Sequence, residues 1–269
     1  MQLMQLILGF LFGALIGFLA YRARALSLSG ALGATLTGGL IFGLGGIPWA
    51  ILLLTFFISS SVLSRLFTGK KAALGEKFSK GSQRDIGQVL ANGGLGALFA
   101  VASAVFPDQD WPWIAFAGTM AAVNADTWAT ELGVLSRRPP RLITNGKPVE
   151  RGTSGAVTLA GYLAAFAGAA LIGLGAVLFS PHLPSWGLMA IIPLAGLAGS
   201  TFDSFLGATV QAIYYCPACQ KETERYPLHR CGNQTSLARG WSWLNNDLVN
   251  FFCSLAGAGV ALAAGWLLF

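Results

Sequence analysis

Charged side chains are scarce in this sequence. Asp, Glu, Lys and Arg make up only 10% of its 269 residues, whereas about a quarter are charged in ordinary soluble domains. This scarcity excludes a soluble globular enzyme. Disorder is excluded as well, because 54% of the residues are hydrophobic and disordered chains are poor in apolar residues.

Long hydrophobic runs are what the sequence has instead, and its mean hydropathy is +0.63. Eight runs approach the length of about 20 residues that a helix needs to cross a bilayer. They cover residues 1–20, 28–45, 47–63, 85–106, 112–135, 155–180, 186–213 and 243–269. We therefore expect one all-α transmembrane domain over residues 1–269 with seven or eight spanning helices, since the second and third runs are short enough to be re-entrant.

The basic residues are distributed on one side only. If each run crosses once, all 17 Lys and Arg fall in four segments that share one face of the membrane, namely 21–27, 64–84, 136–154 and 214–242. Basic loops stay in the cytoplasm, so both termini are expected on the opposite, non-cytoplasmic side. The net charge of +6 is thus explained by the orientation of the loops. Nucleic-acid binding is not expected, because no basic stripe with interleaved aromatics occurs.

Ionisable side chains inside spans are expensive and are functional candidates by default. Polar residues recur on one helical face in three spans: Asp85, Gln88 and Asn92 in the fourth, Ser200, Asp203, Ser204, Gly207 and Gln211 in the seventh, and Asp247, Asn250 and Ser254 in the eighth.

The fifth span carries two carboxylates on different faces. Asn124 and Thr127 align with Glu131, but an unbroken helix of about 3.6 residues per turn separates Asp126 from Glu131 by about 140°. Either this helix is distorted, or its two carboxylates have different partners.

All these carboxylates fall in the cytoplasmic half of the predicted spans. The simplest geometry is a polar cleft that opens to the cytoplasm and has apolar walls toward the bilayer centre. Carboxylates, amides and hydroxyls are oxygen ligands, which suit Mg²⁺. The alternative is that these groups pair with one another, or with basic loop residues, and only hold the bundle together.

Two basic, glycine-rich loops cover residues 68–85 and 137–155. Neither contains a Walker A motif, so a P-loop ATPase is not supported. Each ends at a helix start with small polar residues, where unpaired backbone N–H groups bind anions. The phosphate-binding candidates are Lys70, Lys71, Lys80, Ser82, Arg84, Arg151, Thr153 and Ser154. The alternative is that these loops are basic only because of the orientation rule.

A small cytoplasmic loop at residues 214–240 concentrates cysteine and histidine. Cys216 and Cys219 form a CxxC pair, and His229 and Cys231 follow closely. Disulfides do not persist in a reducing cytoplasm, so this set is interpreted as a structural zinc site. Free thiols with a solvated histidine are the alternative. Cys253, in the last span, is interpreted as an apolar filler.

Four motifs resemble a known family. They are GKKAALGEKFSKGSQRDIGQVLANGG (69–94), NADTWATELG (124–133), GSTFDSFLGATVQ (199–211) and LNNDLVN (244–250). The sequence is similar over nearly its whole length to a membrane family long catalogued as a domain of unknown function. That family includes human transmembrane protein nineteen and the chloroplast phytyl-phosphate kinase of vitamin E synthesis.

The resemblance implies a multi-helix membrane enzyme that phosphorylates an isoprenyl monophosphate to the diphosphate with a nucleoside triphosphate, CTP, as co-substrate. The implied catalytic and magnesium-binding carboxylates are Asp126, Glu131, Asp203 and Asp247. The implied nucleotide- and phosphate-binding residues add Asp85, Asn92, Asn124, Asn246 and Asn250 to the loop residues named above. The partners would be the isoprenoid phosphate, the nucleotide and membrane lipid.

The host membrane is then the plasma membrane or a thylakoid, with the site facing the cytoplasm. Two other classes stay open: a lipid or isoprenoid transporter, and a non-catalytic membrane scaffold. A transporter needs a polar route that continues to the outer half, and the outer halves of these spans are nearly free of ionisable groups.

Overall fold

The computed structural model describes residues 2–67, 83–180 and 186–268. Within them the chain forms eight long helices: α1 (Gln2–Arg22), α2 (Leu28–Gly45), α3 (Ile47–Leu66), α4 (Ile86–Val105), α5 (Trp111–Gly133), α6 (Leu159–Leu178), α7 (Leu188–Thr209) and α8 (Asn246–Leu268). The expected all-α bundle is confirmed. The shortest helix, α2, has 18 residues and at 1.5 Å per residue extends about 27 Å, close to the hydrocarbon thickness of about 30 Å.

Helices α1 and α2 form a hairpin through a ridge of glycines. A Cβ atom on Gly9 would lie 2.6 Å from the carbonyl oxygen of Gly39, and one on Gly13 would lie 2.9 Å from that of Thr35. Small residues at this spacing let two backbones approach closely, and the resulting van der Waals packing favours helix association in lipid. The four-residue glycine period of α1 therefore serves packing.

Helix α5 lies at the centre of the bundle. It packs against α3, α4, α6, α7 and α8, and every residue from Pro112 to Ala125 is buried. Seven of the helices are long and apolar enough to cross a membrane by length and composition, and α5 is the exception. A helix enclosed by other helices is exposed to little lipid, so it tolerates polar residues that a lipid-facing helix would not.

Four linkers meet at one end of the bundle, which we call the basic end. They connect α1 to α2, α3 to α4, α5 to α6 and α7 to α8, and they hold the described basic residues that lie between helices. The first two are joined where the backbone N–H of Ser27 donates to the carbonyl of Arg84 at 3.0 Å. The last two are joined where Ser154 Oγ donates to Gln211 Oε1 at 2.8 Å.

The two longest linkers carry short strands. Strand β1 (Arg141–Leu142) pairs antiparallel with β2 (Ala156–Val157) in the α5–α6 linker. Strands β3 (Ile213–Cys216), β4 (Lys221–Thr223) and β5 (Ser236–Arg239) form an antiparallel sheet of order β4-β3-β5 in the α7–α8 linker. The predicted Cys/His loop is therefore a small folded unit attached to the basic end.

Candidate functional site

A cavity of about 960 Å³ lies at the basic end. Six helices (α3–α8), the two long linkers and Arg84 of the α3–α4 linker supply its lining. Its polar helical residues include Gln88 and Asn92 of α4, Asp126 of α5, Ser200 and Asp203 of α7, and Asn246 and Asn250 of α8. The polar faces of the fourth, seventh and eighth spans thus meet the carboxylates of the fifth in one cavity.

One group of carboxylates gathers around Asp203. Ser200 Oγ lies 3.5 Å from Asp126 Oδ1, and both Asp126 and Glu224 lie close enough to repel Asp203 electrostatically. Asp203 Oδ2 is shielded from solvent and has no hydrogen-bond partner among the described residues. A carboxylate that is repelled by two others is stabilised by a cation placed among them.

Glu131 belongs to a second group on the other side of α5. Ser64 Oγ donates a hydrogen bond of 2.7 Å to Glu131 Oε1, and Arg84 interacts electrostatically with the same carboxylate. Helix α5 continues unbroken from Trp111 to Gly133. Of the two alternatives drawn from the sequence, the structure therefore shows different partners for the two carboxylates.

Arg84 is held at the cavity wall beside this second group. Its Nη2 donates to Ser60 Oγ at 2.9 Å, and its guanidinium carbon lies 5.4 Å from the ring centroid of Phe56. Burial lowers the pKa of Arg84 to about 10, against the opposing influence of Glu131, so the side chain stays cationic at neutral pH. Its Nη1 is shielded and has no hydrogen-bond partner within the described ranges.

Further cations come from the linkers. Arg138, Arg151, Arg225 and Arg230 line the cavity, as do Thr153 and Ser154. The predicted phosphate-binding residues Lys70, Lys71, Lys80 and Ser82 lie outside the described residues.

The charged lining residues of the α7–α8 linker were missed from the sequence. Glu224 and Arg225 lie in the charged run between the CxxC and HxC pairs, and Arg230 lies within the HxC pair. The sequence did contain a signal for these residues, because two ligand pairs that bind one ion force the segment between them into a compact loop.

Three other predicted site residues do not line the cavity. The carboxylate of Asp85 accepts from the N–H of Gln88 at 3.0 Å and caps α4. Asp247 lies in the first turn of α8, where a negative charge stabilises the helix, and it is not among the cavity-lining residues. The side chain of Asn124 is fully buried and donates to the carbonyl of Gly168 at 2.8 Å, joining α5 to α6.

The predicted zinc ligands lie together in the structure. One ligand atom from each of Cys216, Cys219, His229 and Cys231 lies within 4.8 Å of all the others. Hydrogen bonds from Asn233 lower the pKa of the Cys231 thiol to about 5. The hydrogen bond to Cys231 raises the pKa of Cys219 to about 11.

Fold and site together define an integral membrane protein with a charged cavity at one end of a helical bundle. The chain belongs to the family described as "Integral membrane protein DUF92", whose model matches residues 11–258. The family resemblance seen in the sequence is thereby confirmed.

Three curated relatives illustrate the breadth of the similarity. "Protein PGR" of Arabidopsis thaliana is 35% identical over 92% of this chain and 91% of its own. An uncharacterized membrane protein of Methanocaldococcus jannaschii is 37% identical over 77% of this chain and 83% of its own. "Protein VTE6, chloroplastic" of Arabidopsis thaliana is 26% identical over 88% of this chain and 64% of its own. No solved structure matches.

Proposed function

We propose that this protein is a membrane-embedded kinase that converts an isoprenyl monophosphate of the phytyl kind to the diphosphate, with CTP as the phosphoryl donor. An oxygen of the monophosphate attacks the terminal phosphorus of the nucleotide. The bond from that phosphorus to the bridging oxygen breaks, and the nucleoside diphosphate leaves. The site faces the cytoplasm, where a soluble nucleotide reaches it.

The observation that carries this proposal is a single cavity that is lined by both carboxylates and arginines. Asp126, Asp203 and Glu224 lie in the same cavity as Arg84 and Arg225. Its volume of about 960 Å³ is at the upper end of the range for ligand sites, about 300–1,000 Å³. It therefore has room for nucleotide phosphates beside the head of a second phosphate substrate.

The acidic group fits magnesium. Its donors are carboxylate, hydroxyl and amide oxygens, which a hard divalent cation prefers, and Asp203 Oδ2 is a shielded atom without a hydrogen-bond partner among the described residues. Asp126 and Asp203 would hold the ion, with Glu224 beside them. When bound, magnesium neutralises charge on the transferred phosphoryl group.

The remaining residues bind and orient the substrates. Phosphoryl transfer depends mainly on positioning and on charge neutralisation, for which the arginine side chains are suited because guanidinium groups bind phosphate oxygens in a bidentate manner. Val157, Tyr162 and Ala165 give the cavity an apolar wall for the first carbons of the isoprenoid. The acceptor is itself a phosphate, so a strong general base is not needed.

A transfer assay tests the proposal. Purified protein receives CTP labelled at the γ-phosphate, Mg²⁺ and phytyl or farnesyl monophosphate, and labelled prenyl diphosphate is measured. We expect product with the parent and a decrease of about 100-fold or more with Asp203→Asn, because a carboxylate that would hold the magnesium ion is lost.

Asp108→Asn is the matched control, since Asp108 is exposed on the α4–α5 turn at the other end of the bundle, and it should keep full activity. Folding of each variant is checked by gel filtration and thermal denaturation. Absence of transfer to any prenyl phosphate by folded parent protein, with CTP or ATP, would exclude the kinase proposal. Prenyl phosphate uptake into vesicles without diphosphate formation would favour a transporter.

A further inference from the structure

The Cys/His residues lie on two tight turns of the α7–α8 linker. Cys216 and Lys221 are partners in the β3–β4 hairpin, so the CxxC pair lies at its turn. His229 and Cys231 lie on a second turn, which is closed by a hydrogen bond of 2.9 Å from the N–H of Gly232 to the carbonyl of His229. Two turns that face each other with ligands at their tips form the usual backbone of a structural metal site.

The distances between the ligand atoms fit one tetrahedral ion. Zinc–thiolate bonds of about 2.3 Å at tetrahedral angles place two sulfurs about 3.8 Å apart, and Cys216 Sγ lies 3.6 Å from Cys231 Sγ. A disulfide requires about 2.05 Å. His229 Nδ1 lies 3.2 Å from Cys231 Sγ. The side-chain amide of Asn233 donates to that sulfur at 3.3 Å, which is the kind of outer hydrogen bond that supports a thiolate ligand.

We propose that Cys216, Cys219, His229 and Cys231 bind one structural zinc ion, and that this ion fixes the segment carrying Glu224, Arg225 and Arg230 as a wall of the cavity. The ligand set closes both ends of this segment, because Cys219 precedes it and His229 and Cys231 flank Arg230. The second half of this inference depends on the cavity described above, whereas the zinc site itself does not depend on the proposed kinase activity.

The contacts of this segment connect the metal site to the membrane helices. Gln211, two residues beyond the end of α7, donates to Glu224 Oε1 at 3.0 Å and accepts from Ser154 at 2.8 Å. Thr235 Oγ1 lies 3.0 Å from the carbonyl of Arg225 and acts as its hydrogen-bond donor. Hydrogen bonds through Gln211 therefore connect Glu224 to Ser154 in the α5–α6 linker. The proposed zinc ion holds the other end of the same segment.

Metal content tests the zinc site directly. Full-length protein is purified in detergent without chelator, incubated with Zn²⁺, passed through a desalting column and analysed by plasma mass spectrometry. We expect about one zinc per chain in the parent and in Cys253→Ser, whose thiol lies within α8, and a loss of zinc in the double variant Cys216→Ser, Cys219→Ser. A parent protein that holds no stoichiometric zinc after this treatment, or a double variant that keeps it, would overturn the proposal.

Cobalt substitution of the parent provides a measurement that does not depend on the folding of a variant. A tetrahedral thiolate site gives intense visible bands and sulfur-to-cobalt charge-transfer absorption. Absence of these bands after Co²⁺ loading would contradict the ligand set, as would bands that persist when Zn²⁺ is added in excess.

Limited proteolysis tests whether the ion fixes the wall. Trypsin should cleave after Arg225 and Arg230 at least tenfold faster once a chelator removes the metal, whereas cleavage after Arg141, in the other long linker, should not change. Cleavage at Arg225 that is unaffected by chelation would show that the zinc ion does not hold this segment. These readouts require no substrate, so a failure of the kinase assay would leave them interpretable.

Discussion

The side chain of Arg84 is fixed by its hydrogen bond to Ser60 and its contact with the ring of Phe56, and its replacement tests whether the cavity binds phosphate. In Arg84→Lys the positive charge remains, but the planar donor pair is lost. A charge-assisted hydrogen bond contributes about 1.5–3 kcal/mol, so we expect KM for the phosphate substrates to rise by about tenfold or more. Steady-state kinetics measure the change.

The control for this variant is Arg65→Lys. Arg65 donates to the carbonyl of Ala23 in an exposed position and does not line the cavity. Its replacement should leave KM unchanged. Equal effects of the two substitutions, or an effect of Arg84→Lys on thermal stability alone, would contradict phosphate binding by Arg84.

At the same scale, the sequence indicates which residues are polar inside the bundle but not what each one contacts. Asp85 and Asp203 both lie on polar helical faces, yet Asp85 caps its own helix and Asp203 faces the cavity. Asn124 occupies a motif position and bridges α5 to α6 instead. Helical periodicity gives the direction of a side chain and not the distance to its neighbours, so capping and helix bridging could not be separated from ligand binding.

At the scale of the element, the helices could be predicted well and the linkers could not. Each predicted hydrophobic run corresponds to one helix, because the length needed to cross a bilayer and the need to satisfy backbone groups in lipid leave few other solutions. The three-stranded sheet of the α7–α8 linker was not predicted, since strands of three or four residues have no periodicity that distinguishes them from a loop.

The α5–α6 linker offers a test of how an element holds the site. Gly155 has φ +79°, and a Cβ there would collide with the backbone of Ala208 in α7. Gly146 has φ +67° and open space around it. Gly146→Ala should cost about 1 kcal/mol from backbone strain alone, while Gly155→Ala adds about 1–3 kcal/mol from overpacking.

Thermal denaturation in detergent should therefore give a clearly lower Tm for Gly155→Ala than for Gly146→Ala. Ser154, which is adjacent to Gly155, lines the cavity and bonds to Gln211, so substrate affinity should decrease only in Gly155→Ala. Equal Tm values for the two variants would mean that the linker does not pack closely on α7.

At the scale of the whole molecule, charge and polarity are concentrated at one end. The large apolar cluster of the core, which includes Trp49, Phe116, Met120 and Ile192, fills the interior beside the polar cavity. The one-sided distribution of basic residues could be derived from the sequence alone, and the described linkers do meet at one end of the bundle. Which face of the membrane this end occupies is a prediction of the positive-inside rule.

Reporter fusions measure this orientation. Green fluorescent protein inserted between Asn145 and Gly146, an exposed turn of the α5–α6 linker, should fluoresce in a bacterial host because the basic end lies in the cytoplasm. The same reporter fused after Phe269 should be dark, and alkaline phosphatase at that position should be active, because an even number of crossings places the C-terminus with the N-terminus outside. The opposite pattern would place the cavity on the non-cytoplasmic face, out of reach of cytoplasmic nucleotide, and would exclude CTP as its substrate even if the carboxylates and arginines are arranged as described.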